Sequence, residues 1–265
     1  HPFGRTYLAY TSMMFWDNVS PFSTVAADPV AAGVLSKAFD VEYERSLAVV
    51  VTVDFLNFAP SPLFAGAGLF VAASMAVAPR LVDTTLVPLV AVLLLVSLGC
   101  ALVWWGRRRL AVAAAEALVA LDRTLRRIAP GLATRTEPTI RARVETLLVQ
   151  LERIAASRRT LVVVLCLATA GWALLSLAFW LSLFAVGVAV PLAVALFAVP
   201  VVTVVELPPL PRGVGGLEPL LVLLVTVTTG DGVAAVTAGV LVFRLATHWT
   251  PTVVGGAAVP LLWYR

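Results

Sequence analysis

One broken stretch, Leu207–Pro219 (LPPLPRGVGGLEP), limits what this chain can fold into. Its prolines remove backbone donors and restrict the residues before them, so the stretch cannot continue a helix. Long apolar runs lie on both sides of it, at Val188–Val205 and Leu220–Val227. Inside a membrane, irregular backbone persists only where protein or water satisfies its polar groups. The stretch therefore predicts a membrane protein with an internal cavity lined by broken helix.

A second segment, near the start of the chain, resembles the broken stretch. When the numbering is shifted by 190, Ser20–Pro29 aligns with Leu210–Pro219, and the acid–proline pairs of the two segments coincide. Asp54 then aligns with Arg244. We interpret this as an internal repeat, because paired interruptions in two halves are typical of a transporter's binding site. The alternative is that any two proline-interrupted membrane helices align somewhere.

The composition supports a membrane location. The chain is 60% hydrophobic and 13% charged, whereas a soluble domain has ~25% charged residues. We predict an all-α, polytopic transmembrane helical bundle with two internal repeats, each carrying a re-entrant broken helix. The predicted parts are a first transmembrane repeat (1–105), a basic cytoplasmic hairpin (106–159) and a second transmembrane repeat (160–265). Because the chain begins with His1 and not with Met, we expect further helices to precede it.

The first broken helix is predicted as two short arms. His1–Asn18 contains an apolar run that is too short to cross ~30 Å of hydrocarbon. The second arm is Pro29–Phe39, with Asp28 as its N-cap and the proline in its first turn. In the second repeat, the corresponding short arm is Glu218–Thr228.

The segment Gly106–Arg159 differs from the rest, because it holds 12 of the 19 basic residues and only five acidic ones. Apolar residues recur at helical spacing on both sides of Pro130-Gly131, which predicts an amphipathic helical hairpin outside the hydrocarbon. Its arginine excess places it in the cytoplasm by the positive-inside rule. The hairpin could contact anionic headgroups, or it could only set the topology and pack against its own bundle.

Charged residues within apolar sequence are the main functional candidates, because a charge at the bilayer centre costs at least ~2.5–3.5 kcal/mol. The predicted polar cleft contains Asp28, Asp54, Glu206, Arg212, Gly213, Gly215, Gly216, Glu218, Arg244 and His248. The carboxylates that precede proline, Asp28 and Glu218, could instead act as helix N-caps. Arg212 could bind a phosphate beside a helix N-terminus, or it could extend to water at the interface.

The repeat alignment suggests two further roles. Asp54 and Arg244 occupy matching places, so we hypothesise an ion pair between them across the repeat interface. His248 aligns near Asn57 and is either a packing histidine or a functional group of the cleft.

The sequence carries no motif of an established enzyme class. It contains no GxSxG, HExxH, CxxC or Walker loop, and its acidic residues are scattered. Cys100 and Cys166 both lie in apolar runs and predict no disulfide framework. The net charge of +4 is not a nucleic-acid signal, because the arginines are concentrated in the basic hairpin. We therefore predict no cofactor, no metal and no nucleic-acid partner, and a transporter in preference to an enzyme.

The broken stretch resembles the proline- and glycine-rich signature of the lysylphosphatidylglycerol synthase transmembrane (flippase-like) family. The matching residues are Pro208, Pro211, Gly213, Gly215 or Gly216, and Glu218. FRLATHW, followed by Gly255-Gly256, resembles that family's later helix, with Arg244 as its arginine. NVSPFSTVAADP resembles the family's first-half loop at Asn18, Pro21, Asp28 and Pro29, although Ala26-Ala27 stand where a glycine pair is expected.

The resemblance implies an integral membrane protein that handles lipids. This sequence contains neither the aminoacyl-transfer domain nor the glycosyltransferase domain of some members, so no transferase activity is carried over. We predict a flippase-like transporter of the cell membrane that moves a phospholipid or a polyprenyl-phosphate-linked headgroup across the bilayer. The alternatives are a membrane-embedded transferase that uses a lipid-linked donor, and a structural membrane subunit. A homo-oligomer or a membrane partner is also compatible with the sequence.

Overall fold

The computed structural model describes residues 3–19, 24–74, 157–205 and 217–263, together with scattered positions between 98 and 156. Within these residues the backbone forms helices and the turns that join them, and it forms no β-strand. The prediction of an all-α fold is therefore confirmed for the described chain. The basic hairpin predicted at 106–159 lies almost entirely outside the described residues, as do residues 206–216 of the broken stretch.

The helices follow the apolar runs of the sequence. They are α1 (Phe3–Val19), α2 (Thr24–Phe39), α3 (Tyr43–Phe58), α4 (Ser61–Ser74), α5 (Arg158–Ala185), α6 (Leu192–Val205), α7 (Leu217–Thr229), α8 (Val233–Arg244), a π-helical turn (Leu245–Trp249) and α9 (Thr250–Trp263). The last three form one continuous helix, since residues 233–262 make a single helical stretch.

Three stretches of the described chain are long and apolar enough to cross a membrane. They are Tyr43–Ala72, Arg158–Ala185 and Val233–Leu262, with 28 to 30 residues each. At 1.5 Å per residue such a helix is about 42–45 Å long, which exceeds the ~30 Å of a bilayer's hydrocarbon. The shorter α6 and α7 are also apolar. The length and composition of the described helices therefore fit a polytopic membrane protein.

Helix α5 shows the surface expected of a membrane-embedded helix. Trp172 and Phe179 on one face are buried, whereas Leu167, Leu174 and Leu181 on the other are exposed. A helix that is apolar on all sides is either buried in a large core or faces lipid. Because its outer leucines are not covered by the described protein, α5 has the surface of a lipid-facing helix.

Helix α5 also organises the packing, because it contacts α3, α6 and α8. The indole Nε1–H of Trp172 donates to the carbonyl oxygen of Asn57 at 2.7 Å, which ties α5 to the end of α3. Phe179 meets Phe243 of α8 edge-on, with the ring centroids 5.1 Å apart. Around this centre α4 packs along α6, α2 packs against α3, and α1 packs along α9. The first and last described helices are therefore neighbours.

Helices α7 and α8 form a tight hairpin. Residues 230–232 join them, and Gly230 adopts a φ of +77°, a backbone conformation that favours glycine. Glu218 lies 13 residues before Asp231, and Arg244 lies 13 residues after it. In an antiparallel pair, positions equally distant from the turn lie side by side. The start of α7 is therefore placed next to the end of α8.

The prediction that Asp28 caps a helix is wrong. Helix α2 begins at Thr24 and runs through Pro29, so Asp28 lies inside the helix, where it is buried. Alanine is the best helix former, and the two alanines before Asp28 extend α2 towards its N-terminus. The first four N–H groups of a helix lack partners in any case, so a proline at the sixth position removes only one bond.

Candidate functional site

The candidate site contains an ion pair between α7 and α8. The Nε–H of Arg244 donates to Oε1 of Glu218 at 2.7 Å, and the two side chains are only 11% and 16% exposed. Hydrogen bonds between charged groups are roughly twice as strong as neutral ones, and removing one partner leaves the other charge uncompensated. The hairpin geometry described above brings these two residues together.

This pairing corrects one prediction and decides between two others. The repeat alignment predicted Arg244 to pair with Asp54, but the structure pairs Arg244 with Glu218. Glu218 lies in the first turn of α7, after Leu217, so it is not the N-cap. Its side chain instead holds a guanidinium of the neighbouring helix. The partner of Arg244 is the residue that the α7–α8 hairpin places beside it, and not the residue that the repeat alignment predicted.

A cavity of about 210 Å³ lies beside the ion pair. Its apolar wall comes from α5, α6, α7 and α8, and consists of Leu175, Val199, Leu217, Leu221 and Phe243. Its polar wall comes from α1, α6 and the end of α8 with the π-helical turn, and consists of Asn18, Thr203, Arg244, Thr247 and His248. The cavity therefore combines apolar lining residues with one cationic and several neutral polar groups.

The π-helical turn determines which side chains face this cavity. Both the backbone N–H and the Oγ1–H of Thr250 donate to the carbonyl oxygen of Leu245, five residues earlier. The hydroxyl of Thr247 donates to the carbonyl oxygen of Phe243 at 2.8 Å. Such π-helical insertions are rare and are frequently found at functional sites. Here the insertion follows Arg244 directly, at the cavity wall.

Asn18, in the last turn of α1, holds the far end of the π-helical turn. Its Nδ2 donates to Oγ1 of Thr252 at 2.8 Å and to the carbonyl oxygen of His248 at 3.3 Å. The hydroxyl of Thr252 in turn donates to the same carbonyl at 2.6 Å. These three hydrogen bonds, which we call the Asn18 clamp, join the two ends of the described chain at the cavity.

The structure brings only some of the predicted cleft residues together. Arg244 and His248 line the cavity, and Glu218 binds Arg244. Asp28 lies on α2 and Asp54 lies half-buried on α3, and neither lines the cavity. Five predicted cleft residues lie outside the described residues: Glu206, Arg212, Gly213, Gly215 and Gly216.

The cleft prediction also missed three polar residues of the wall. Thr247 could have been found, because Arg244, Thr247 and His248 are spaced at i, i+3 and i+4 and so share one helix face. Thr203 carries no comparable signal, and Asn18 matches the family's first-half loop, although nothing in the sequence places it beside His248. Their place at the cavity results from contacts between helices that are distant in sequence.

The chemistry of the cavity suits an anionic group with an apolar attachment. A guanidinium carries five N–H donors in a fixed fork, more than the single bond to Glu218 uses. Threonine hydroxyls, an amide and an imidazole add further hydrogen-bonding groups on the same wall. Within the described residues, no group of three or more His, Cys, Asp and Glu side chains could hold a metal ion.

Comparison with known proteins gives one family. A family model described as the lysylphosphatidylglycerol synthase TM region matches residues 1–255, which is nearly the whole of the 265-residue chain. Neither the search of curated proteins nor the search of solved structures found a match. Together with its apolar helices, the family match shows that this is an integral membrane protein. The chain belongs to the lysylphosphatidylglycerol synthase transmembrane family.

Proposed function

We propose that the chain binds the phosphate-bearing headgroup of a membrane lipid in the Arg244 cavity and moves it across the bilayer. The lipid is a phospholipid or a polyprenyl-phosphate-linked lipid, and its tails stay in the hydrocarbon throughout. The protein makes and breaks no covalent bond of the lipid, and binding shifts the population between two packings of the helices.

The observation that carries this proposal is the position of Arg244. An arginine inside an apolar helix is costly and marks a functional position by default. Its side chain is largely buried, paired with Glu218, and exposed to a cavity with polar residues on the same wall. A guanidinium binds phosphate oxygens in a bidentate manner. Among the described lining residues, Arg244 is the one Asp, Glu, Lys or Arg side chain, so an anion that enters the cavity would contact its guanidinium.

The size of the cavity fits a headgroup and not a whole lipid. Its volume is about 210 Å³, below the ~300–1,000 Å³ of pockets that enclose drug-sized ligands. The apolar residues of the lining would contact the first carbons of the attached chains. The exposed leucines of α5 then offer an apolar surface along which the tails could remain in lipid. An open cavity that includes several polar groups in its lining also supports a binding role over a purely structural one.

The broken stretch is connected to this cavity in sequence. Residues 206–216 join α6 to α7, and both helices contribute to the wall, through Thr203 and through Leu217. We therefore retain Glu206 and Arg212 as predicted members of the headgroup site. Arg212 would supply a second cation for the phosphate, and Glu206 would balance the charge or contact a cationic headgroup.

The test is lipid movement in vesicles that contain the purified protein. A fluorescent phospholipid is placed in both leaflets, and a membrane-impermeant reductant bleaches the outer one. Loss of charge-assisted hydrogen bonds worth ~1.5–3 kcal/mol should slow movement about ten- to hundredfold in Arg244→Ala. Arg244→Lys, which keeps the charge without the fork, should lie between that variant and the wild type. Arg45→Ala, at an exposed position of α3 outside the basic hairpin, is the matched control.

Three results would contradict the proposal or redirect it. Wild-type rates in a folded Arg244→Ala protein would remove the cavity from the transport path. A chemically altered lipid, detected by mass spectrometry, would favour the transferase alternative. Rates equal to those of protein-free vesicles for every variant, including the wild type, would leave a structural subunit.

A further inference from the structure

The π-helical turn sets the orientation of the helix face after it relative to the helix face before it. In an α-helix each residue advances by about 100° around the axis. A π-helical insertion adds one residue, so the residues after it are rotated by about that angle relative to the residues before it. Arg244 precedes the insertion and Thr252 follows it. Conversion of the turn to α-helix would therefore rotate one of these faces away from its present neighbours.

Both faces are fixed by contacts. Before the insertion, Arg244 binds Glu218, and Phe243 packs edge-on against Phe179. After it, Gly255 faces α1 so closely that an added Cβ would overlap the carbonyl oxygen of Thr11 and lie 2.8 Å from Cβ of Phe15. Neither contact tolerates a rotation of about 100°. The insertion is thus the element that lets α8 face the cavity while α9 faces α1.

The Asn18 clamp is placed to hold this insertion. It binds the carbonyl of His248, which belongs to the π-helical turn, and the hydroxyl of Thr252, which lies in the first turn of α9. Asn18 itself belongs to α1, the helix against which α9 packs. One amide group therefore links the insertion to the helix that sets the orientation of α9.

We propose that Asn18 is a positioning residue for the headgroup site: its clamp keeps the turn π-helical and so keeps Arg244, Thr247 and His248 facing the cavity. The statement that the positioned residues form a headgroup site rests on the proposed function. The statement that Asn18 positions them rests on its hydrogen bonds alone. It assigns a role to a side chain from the opposite end of the chain, 230 residues away from His248.

The role requires a side-chain N–H donor at position 18. An ionised aspartate carries acceptors only, so Asn18→Asp has nearly the same shape but cannot donate to the carbonyl of His248. At the other side of the clamp, Thr252→Val removes the hydroxyl, and Thr252→Ser keeps it. Thr237→Val removes a hydroxyl that bonds only within α8, outside the clamp, and is the matched control.

The first measurement needs no lipid. Hydrogen exchange at the Nε–H of Arg244 is followed by NMR on ¹⁵N-arginine-labelled protein in micelles, with the signal assigned by its loss in Arg244→Lys. Because Asn18 makes no hydrogen bond to Arg244, a change at this atom reports a change of register. Exchange should become about tenfold faster in Asn18→Ala, Asn18→Asp and Thr252→Val, as expected for the loss of about one hydrogen bond. It should stay at the wild-type rate in Thr252→Ser and Thr237→Val.

The second measurement is lipid movement in the vesicle assay. Asn18→Ala should slow movement about tenfold, and most of that effect should be lost in the Arg244→Ala background, because the clamp acts mainly by positioning that residue. A merely structural role would give additive losses and would overturn the inference. Unchanged Nε–H exchange in both Asn18→Ala and Thr252→Val would also overturn it. If exchange changes while the wild type moves no lipid, the proposed function fails and the positioning of Arg244 stands.

Discussion

Helices α8 and α9 belong to one continuous apolar helix, yet different kinds of contact hold them. The buried face of α8 carries Val236, Val240 and Phe243, which interlock with the core around α5, and the helix ends at the Arg244–Glu218 pair. In α9, by contrast, Gly255 brings the helix backbone against the backbone of α1. Large side chains dominate the contacts of the first half, where Gly239 also lets α8 approach Leu183 of α5, whereas the contact of the second half depends on a position without a side chain.

The difference explains where the cavity lies. Interlocking side chains keep helix axes about 8–10 Å apart, whereas small residues let two helices approach closely. Along the continuous helix the packing changes from mainly side-chain contact to close backbone contact at the π-helical turn, and the cavity wall lies at that change. Helices that must meet two neighbours at different distances leave space between them. A polar site in this family member is found at the boundary between two modes of packing, and not at the centre of either.

The largest effect is expected on the α8 side, at the charged pair. Glu218→Ala leaves Arg244 with an uncompensated, largely buried charge, and removal of one partner of such a pair costs about 3–5 kcal/mol. The free energy of unfolding in micelles should fall by that amount. The double variant Glu218→Ala/Arg244→Ala should be more stable than Glu218→Ala, because it leaves no unpaired charge.

The matched control for this prediction is Glu42→Ala, which removes an exposed carboxylate that makes no capping bond at the start of α3. It should change stability by less than ~0.5 kcal/mol. Equal stabilities of the Glu218 and Glu42 variants would mean that the charged pair does not hold α8 to α7.

A smaller loss is expected on the α9 side, at Gly255. An added methyl group would overlap a backbone oxygen of α1, and a backbone atom can move only if the helix moves. Overpacking of this kind typically costs ~1–3 kcal/mol, so Gly255→Ala should lower the melting temperature in micelles. In the control Gly171→Ala, on α5, the new methyl meets no atom within 4 Å, and the change should be neutral or stabilising by up to ~1 kcal/mol. Indistinguishable melting of the two variants would refute the close approach of α9 to α1.

Much of the helical layout could be predicted from the sequence. The expected segments His1–Asn18 and Glu218–Thr228 correspond to α1 (Phe3–Val19) and α7 (Leu217–Thr229). Their ends are marked by proline and glycine, which act locally and need no knowledge of the fold. Asp28 was misplaced by the same local rule, because a proline near a helix start does not require the helix to start there.

The partner of Arg244 could have been predicted as well. Both helices of the hairpin are apolar, and the glycine-containing turn between them is visible in the sequence, so Glu218 and Arg244 can be paired by counting from Asp231. The repeat alignment pointed to Asp54 because it compared sequence positions and took no account of which helices are neighbours. The internal repeat and the re-entrant helices stay predictions.

The Asn18 clamp could not have been predicted. It joins residues 230 and 234 positions apart, and no local pattern specifies which distant helix α1 packs against. The π-helical insertion is equally hidden, since the segment Leu245–Trp249 (LATHW) has no residue that demands an extra position in the turn. Both features follow from satisfying two packed faces at once, which is a property of the whole bundle.

The smallest effect is expected at Gly256, one residue further along α9. This position tests whether the close contact with α1 is specific to Gly255. At Gly256 an added Cβ would meet only ring carbons of Phe15, at 3.2 and 3.3 Å. A side chain can turn aside by a few tenths of an ångström, and alanine stabilises a helix interior by ~0.5–1 kcal/mol over glycine. Gly256→Ala should therefore change the melting temperature little, in contrast to Gly255→Ala. If both variants lose the same stability, the limiting neighbour is the ring of Phe15 and not the carbonyl of Thr11. In that case Phe15→Leu should rescue both, and the contrast between backbone contact in α9 and side-chain contact in α8 would no longer hold.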